Sequence, residues 1–517
     1  MLAPMSGTGR TNGRVVALLW VVLAGACAPA APSSGLPIPS STAGAASLRP
    51  TASASPVAAV TVKPARWADC GGGFSCAEIR VPRDYAAPAD GYLNVSIIRA
   101  AATNTAKRIG SLLVNPGGPG GSGVEFVRQG LASFPEELRE RFDIVGFDPR
   151  GVNSSTAIRC IDNLDGHDAL DPSPDDAAEL DALVEAARDY ARACARRNDA
   201  TLPYLSSDAV ARDLDLIRAA VGDEQLSYLG FSYGTLIGAL YAERFPDRIR
   251  AMVLDGAIDP SQSLENFRAD QATAFEGALM RFLEDCASKR TCAFYEGGNS
   301  VKAFDRLMAS IDKNPIPAPY LRDPRLVGPG LAWYAVLGAL YSESSWPLLA
   351  TALAQAKDGD GSLMLLISDP FRGRKPNGSY SNMQDAYTAN VCLDYPAPTN
   401  VAVYTSWGRR FTKAAPHFAE LLAYNDLTCA FWPVPATGSP RTVRAEGAPP
   451  IVVVGTTGDP ATPYRWAVAL AEQLESGVLV TREGEGHTGY LDSECVQEAV
   501  DAYLIELTAP KDGLTCD

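Results

Sequence analysis

The chain has 517 residues, 46% of them hydrophobic, and a formal net charge of -15, with a pI near 4.8. That length exceeds what one compact core usually organises, so one main domain with a sizeable insertion, or two domains, is expected. An acidic surface repels phosphate backbones, which argues against a nucleic-acid partner.

Arg10 and Arg14 precede an apolar run over 15–26. The run is too short for a stable bilayer-spanning helix and has the make-up of an export signal over 1–26. Residues 27–62 are dominated by Ala, Pro, Ser, Gly and Thr. Such a segment cannot bury enough apolar surface to offset its ordering entropy and reads as a flexible tether. Cys27 closes Leu23-Ala24-Gly25-Ala26-Cys27, which is similar to a bacterial lipoprotein cleavage site. Cys27 would then carry a lipid that anchors an exported protein to the membrane. The large apolar residue stands one place further from the Cys than is usual, and ordinary cleavage, for example after Ala30, is the competing reading.

Setting Cys27 aside leaves ten of the 11 cysteines. An exported protein is expected to pair its thiols. The ten fall into sequential neighbours: Cys70 with Cys76, Cys160 with Cys194, Cys286 with Cys292, Cys392 with Cys429, and Cys495 with Cys516. Order along the chain does not prove that connectivity. No pair has C-x-x-C spacing and the chain has only three histidines, so no structural zinc site is expected. No cofactor is expected either.

Short apolar runs then recur, each ending in a special turn. They are 111–115 before Pro116-Gly117-Gly118-Pro119-Gly120-Gly121, 142–147 before Asp148-Pro149-Arg150-Gly151, 226–230 before Phe231-Ser232-Tyr233-Gly234, and 249–254 before Asp255-Gly256. Much later come 450–455 before Asp459 and 477–481 before Gly486-His487. Near-continuous Val, Ile and Leu suit strands buried on both faces of a parallel sheet. Segments 208–222, 235–245 and 464–473 carry apolar residues at helical spacing between these runs. The alternation predicts an α/β fold, with active residues at the carboxyl ends of the strands. Residues 261–440 break the pattern and are mostly helical in character, for instance over 264–287 and 331–356. They read as a cap inserted between the sixth and seventh sheet strands, dividing a core into 63–260 and 441–517.

Gly230-Phe231-Ser232-Tyr233-Gly234 fits G-x-S-x-G between a strand and a helix. That turn is sharp and strained, needs small flanking residues, and lifts the Ser above the sheet. Ser232 is the expected nucleophile, and a hydroxyl needs a base to take its proton. His167 stands in an acidic loop and His417 in the presumptive cap, whereas His487 follows the last predicted strand, where fold order brings the base. Asp459, at the end of the preceding strand, is the expected acid, and the order Ser, Asp, His fits. Asp255 also ends a strand and is the rival. The oxyanion needs fixed N–H donors. Tyr233, directly after the nucleophile, would supply one, and Gly117 or Gly118 the other.

Asn115-Pro116-Gly117-Gly118-Pro119-Gly120-Gly121-Ser122-Gly123, Phe147-Asp148-Pro149-Arg150-Gly151, the Ser232 motif and Asp459-Pro460-Ala461-Thr462-Pro463 together resemble the tripeptidyl-aminopeptidase family of secreted α/β-hydrolase serine peptidases. The chain looks especially like the mycobacterial cell-envelope serine hydrolases of that family, which is related to proline iminopeptidases. The resemblance implies an α/β-hydrolase fold with a helical cap, and release of short peptides from free N-termini. Asp394, in Cys392-Leu393-Asp394, matches a family segment, which makes it a candidate to hold the substrate ammonium. Proline iminopeptidases begin the glycine-rich loop with His where this chain has Asn115, so strict prolyl specificity does not follow. The competing readings are a carboxylesterase or lipase acting on cell-envelope esters, with the same triad, and a non-catalytic binding protein on a hydrolase scaffold. The expected partner is a peptide or ester substrate, with a membrane met only through the N-terminal anchor.

Overall fold

The computed structural model describes residues 62–517. The export signal, Cys27 and all but the last residue of the expected tether lie outside the described residues. Ten strands form one sheet in the order β1-β2-β3-β5-β4-β6-β7-β10-β11-β12. They are β1 (Ala68–Asp69), β2 (Phe74–Pro82), β3 (Tyr92–Ala100), β4 (Gly110–Asn115), β5 (Phe142–Phe147), β6 (Leu226–Phe231), β7 (Ile249–Asp255), β10 (Ile451–Gly458), β11 (Gly477–Glu485) and β12 (Leu514–Cys516). Strands β8 (Ile316–Pro317) and β9 (Leu326–Val327) form a separate hairpin. β1, β2, β3 and β5 pair antiparallel in succession, and from β5 across to β12 every pairing is parallel.

Six of the parallel strands, β4, β5, β6, β7, β10 and β11, are the predicted apolar runs; the short β12, half-exposed at the sheet edge, is not among them. Every residue of β5 and β6 is buried, because helices cover both faces. Alternate side chains feed two cores. Leu113, Val145, Tyr228 and Val453 join the cluster that holds Ile217 and Ile237. Leu112, Ile144, Leu229 and Val452 join the cluster that holds Val500 and Leu504.

The predicted 208–222 and 235–245 segments form the helices Ser207–Val221 and Tyr233–Arg244. The long insertion lies between β7 and β10. In the large sheet these are the seventh and eighth strands in chain order, not the sixth and seventh; the additional strand is β1, two exposed residues with no apolar pattern to announce it. Between them run helices including Leu264–Ser288, Pro329–Leu340, Trp346–Lys357, Ser362–Phe371 and Met383–Asp394. The single helix expected over 331–356 is two. Ser342 is extended (φ -145°, ψ 131°), and Pro347, which lacks an N–H, sits in the first turn of the second helix, where that loss costs nothing.

Five disulfides close between the sequential neighbours: Cys70–Cys76, Cys160–Cys194, Cys286–Cys292, Cys392–Cys429 and Cys495–Cys516. Two buried groups fix the loops around the glycine-rich turn. Asp148 accepts from Ser122 Oγ at 2.5 Å and Val124 N at 3.2 Å. Arg150, with no exposed surface, donates to Asp213 and to the carbonyls of Pro82 and Tyr204. Among the described residues no helix is long and apolar enough to cross a membrane.

Candidate active site

Ser232 sits between β6 and the helix Tyr233–Arg244 with φ 53° and ψ -124°, a conformation that costs a non-glycine residue energy and persists only when its surroundings impose it. They do so through backbone: Ser232 N–H donates to Asp255 O at 2.8 Å and Ser232 O accepts from Thr235 N at 2.9 Å. The flanking glycines let backbones pass at close range. A Cβ at Gly230 would lie 2.7 Å from Gly234 O, and one at Gly234 would lie 2.8 Å from Asn115 Oδ1.

His487 is held on its Nδ1 side. Asp459 receives Nδ1–H at 3.0 Å through Oδ1 and 2.9 Å through Oδ2, while Nε2 is buried and has no partner among the described residues. A carboxylate on Nδ1 fixes the tautomer that leaves Nε2 free to accept a proton. The end of β7 touches both residues: Asp255 O holds the Ser232 amide, and a Cβ on the next residue, Gly256, would lie 3.2 Å from His487 Cε1, while no hydrogen bond joins Ser232 Oγ to His487 Nε2 among the described residues. Asp459 is itself held by N–H groups of Ala461 (2.9 Å) and Thr462 (2.8 Å) and by Thr462 Oγ1 (2.8 Å).

The rival acid is engaged elsewhere. Asp255 is buried and accepts N–H groups of Gly489 (2.9 Å) and Tyr490 (2.9 Å). Burial pushes its carboxyl up to about 7 against the pull of those bonds. His417 has both ring nitrogens on carboxylates, Glu276 at 2.6 Å and Asp305 at 3.0 Å. His167 lines a smaller neighbouring chamber that does not include Ser232.

Burial alone would lower the His487 pKa, but the charge and hydrogen bond of Asp459, with the Asp255 charge added, raise it overall. The base form is neutral, so activity is expected to rise with pH through a midpoint above the ordinary histidine value of about 6.5, read from kcat/KM against pH. The stabilisation from this pair is complete below about 6.5 and is lost as pH rises through the folded-state value.

Two expectations are corrected. The Gly117 N–H donates to Asn115 Oδ1 at 2.8 Å, so Gly117 is not a free donor. Among the described residues Gly118 N–H makes no backbone hydrogen bond, and Tyr233 N–H, at the first helical position, lacks an intrahelical acceptor. Gly117 instead makes the loop fit: with φ +84°, a Cβ there would lie 2.5 Å from Phe231 O and 2.6 Å from Tyr233 N. Gly117→Ala is therefore expected to push the two free donors apart and lower kcat by on the order of 10²-fold, with a lower melting temperature by calorimetry.

The second correction is Asp394. It is buried, and accepts Ser207 N (2.8 Å), Ser207 Oγ (2.6 Å) and Tyr233 OH (2.8 Å). It does not line the cavity at Ser232. With its oxygens already satisfied it cannot take a substrate ammonium there; it fixes the ring of the residue that follows the candidate nucleophile.

Ser232, Tyr233 and Gly118 open onto a cavity of about 390 Å³ with mostly apolar walls from the insertion, such as Leu264, Phe267, Phe275, Leu337 and Phe371. Among the described residues no Asp or Glu lines it. Its two charged lining residues are already paired, Arg268 with Asp426 and Arg372 with Asp168. Sequence reasoning passed over Thr462, although an Asp followed three residues later by Thr is the pattern of a side chain closing a turn on its own backbone. It also missed Tyr341, whose carbonyl accepts His487 N at 2.8 Å and whose ring packs edge-on against the imidazole.

Comparison with known proteins identifies the family of the chain. A model of the α/β hydrolase fold matches residues 110–297, and a TAP-like protein model matches 415–516. The chain is 39% identical to serine protease Hip1 of Mycobacterium tuberculosis, covering 88% of this chain and 91% of that one. It is 37% identical to carboxylesterase B of the same organism (93% and 95% covered) and 32% identical to tripeptidyl aminopeptidase of Streptomyces lividans (87% and 86% covered). The chain belongs to the tripeptidyl-aminopeptidase family of α/β-hydrolases and is a serine hydrolase with peptidase or esterase activity.

Proposed function

We propose that the protein is an exported serine aminopeptidase that releases short peptides through an acyl-enzyme. Ser232 Oγ attacks the scissile carbonyl as His487 Nε2 takes its proton. Asp459 stabilises the imidazolium, and the N–H groups of Gly118 and Tyr233 hold the oxyanion. His487 then protonates the leaving amine, and water attacks the acyl group by the same route. The insertion over 261–440 acts as the cap that sets substrate choice.

The observation that carries the short-peptide reading is the absence of a carboxylate among the described residues that line the cavity. A single-residue acyl group would leave its ammonium unpaired among apolar walls, which is costly. A longer acyl segment carries the ammonium beyond them. This agrees with the likeness to tripeptidyl aminopeptidase. The apolar walls equally suit the acyl chain of an ester, and the likeness to carboxylesterase B supports that second reading.

Purified mature protein assayed on aminoacyl, dipeptidyl and tripeptidyl amides beside acyl esters decides between them. Tripeptidyl amides are expected to give the highest kcat/KM; turnover of esters alone would overturn the peptidase reading. Export with lipid on Cys27 predicts a lipid-modified Cys27 as the first residue of the mature chain, read by mass spectrometry. An unmodified N-terminus beyond Ala30 would show secretion instead.

A further inference from the structure

One polar group in the cavity at Ser232 has capacity that the protein does not use. The Tyr387 phenol oxygen accepts N–H bonds from Arg268 Nη2 at 2.6 Å and Asn425 Nδ2 at 3.0 Å. A phenol accepts and donates through one oxygen, so with both accepting positions filled only its proton remains to be given. No side chain among the described residues is placed to take it. Arg268 is buried, with its Nε and Nη2 on Asp426 and its Nη1 on Gln271. Its charge on the phenol oxygen makes the remaining O–H a stronger donor.

The position of this donor is fixed relative to the reacting centre. Tyr387 stands on the helix Met383–Asp394, which rests on the glycine-rich loop. A Cβ at Gly120 would lie 2.5 Å from Met383 O and 3.0 Å from Tyr387 N. The last residue of the same helix, Asp394, accepts Tyr233 OH. Gly118, Ser232 and Tyr387 line the same cavity.

We propose that the Tyr387 hydroxyl donates a hydrogen bond to an amide carbonyl in the acyl half of the substrate, and so selects peptidyl acyl groups over plain alkanoyl chains. This rests on Ser232 being the nucleophile and deepens the peptidase reading. An alkanoyl chain would cover the O–H without pairing it, and a desolvated unpaired donor is what lets a site reject an analogue that lacks the acceptor.

The test uses p-nitrophenyl esters of N-acyl dipeptides and the same compounds with one amide at a time replaced by its uncharged trans-alkene isostere, which removes the carbonyl without creating a basic amine. In the wild-type enzyme one such replacement is expected to lower kcat/KM by about 10- to 100-fold. In Tyr387→Phe that sensitivity is expected to collapse towards one, with the melting temperature recording that the variant is folded. Wild-type indifference to every replacement overturns the proposal whatever the variant does. Undiminished sensitivity in Tyr387→Phe overturns it as well. Because both arms are esters, failure of the enzyme on peptide amides would defeat the peptidase reading without disturbing this measurement.

Discussion

Ser232→Ala is expected to lower kcat on esters and peptides by at least about 10⁴-fold, since members of a catalytic triad act as a unit. Thermal stability is expected to stay close to that of the wild-type protein. The Ser232 side chain forms no cap on the helix it precedes, so deleting the hydroxyl breaks no bond that holds the fold. The strained backbone at φ 53° is imposed by the Asp255 and Thr235 contacts, and these remain in the variant. A fluorophosphonate probe should label the wild-type protein at Ser232 and fail to label the variant. Full activity in Ser232→Ala, or labelling elsewhere, would overturn the assignment.

The parallel strands from β4 to β11 in the large sheet were legible in the sequence because burial on both faces leaves near-continuous apolar runs, as in Ile451-Val452-Val453-Val454, whereas the edge strand β12 is short and only partly buried. The antiparallel edge was not legible. β3 opens with alternating exposed and buried residues and is interrupted by Asn94, Ser96 and Arg99, and β2 carries Glu78 and Arg80, so neither presents such a run. At the site, Ser232, Asp459 and His487 stand at strand ends, where motif and fold order reach them. Asp394 shows where that reasoning stops. Its motif marks an acid but says nothing of the groups that surround it, and one of its partners, Ser207, lies 187 positions away. The cavity walls come from several helices of the insertion, each placing a few residues at unrelated points of the chain, so no periodicity announces them. The role of Gly117 was misread for a related reason. A glycine in such a loop can serve as a donor or as a gap, and only the Asn115 bond and the approach to Tyr233 decide which.

The two candidate acids give the second large effect, and opposite expectations for two similar variants. Asp459→Asn places an amide where a carboxylate now accepts the Nδ1 proton at 2.9 Å. An Asn Nδ2–H facing His487 favours the tautomer with hydrogen on Nε2, which cannot take a proton from Ser232. The loss in kcat is expected to be on the order of 10⁴-fold. Asp255→Asn removes a charge that faces the N–H groups of Gly489 and Tyr490 instead of the imidazole ring. Its carboxyl titrates at about 7, so near neutrality much of it is already uncharged, and its effect on the base reaches His487 through space only. The expected loss is within about tenfold, the size of a change of roughly one pKa unit in the base. Steady-state kcat on one ester substrate, measured for both variants across pH, separates the roles. Asp459→Asn should depress the whole profile, whereas Asp255→Asn should move its acid limb to lower pH, because one of the charges that favours the imidazolium is gone. A 10⁴-fold loss in Asp255→Asn with Asp459→Asn nearly unaffected would exchange the two assignments, and with them the reading of β10 as the strand that delivers the acid.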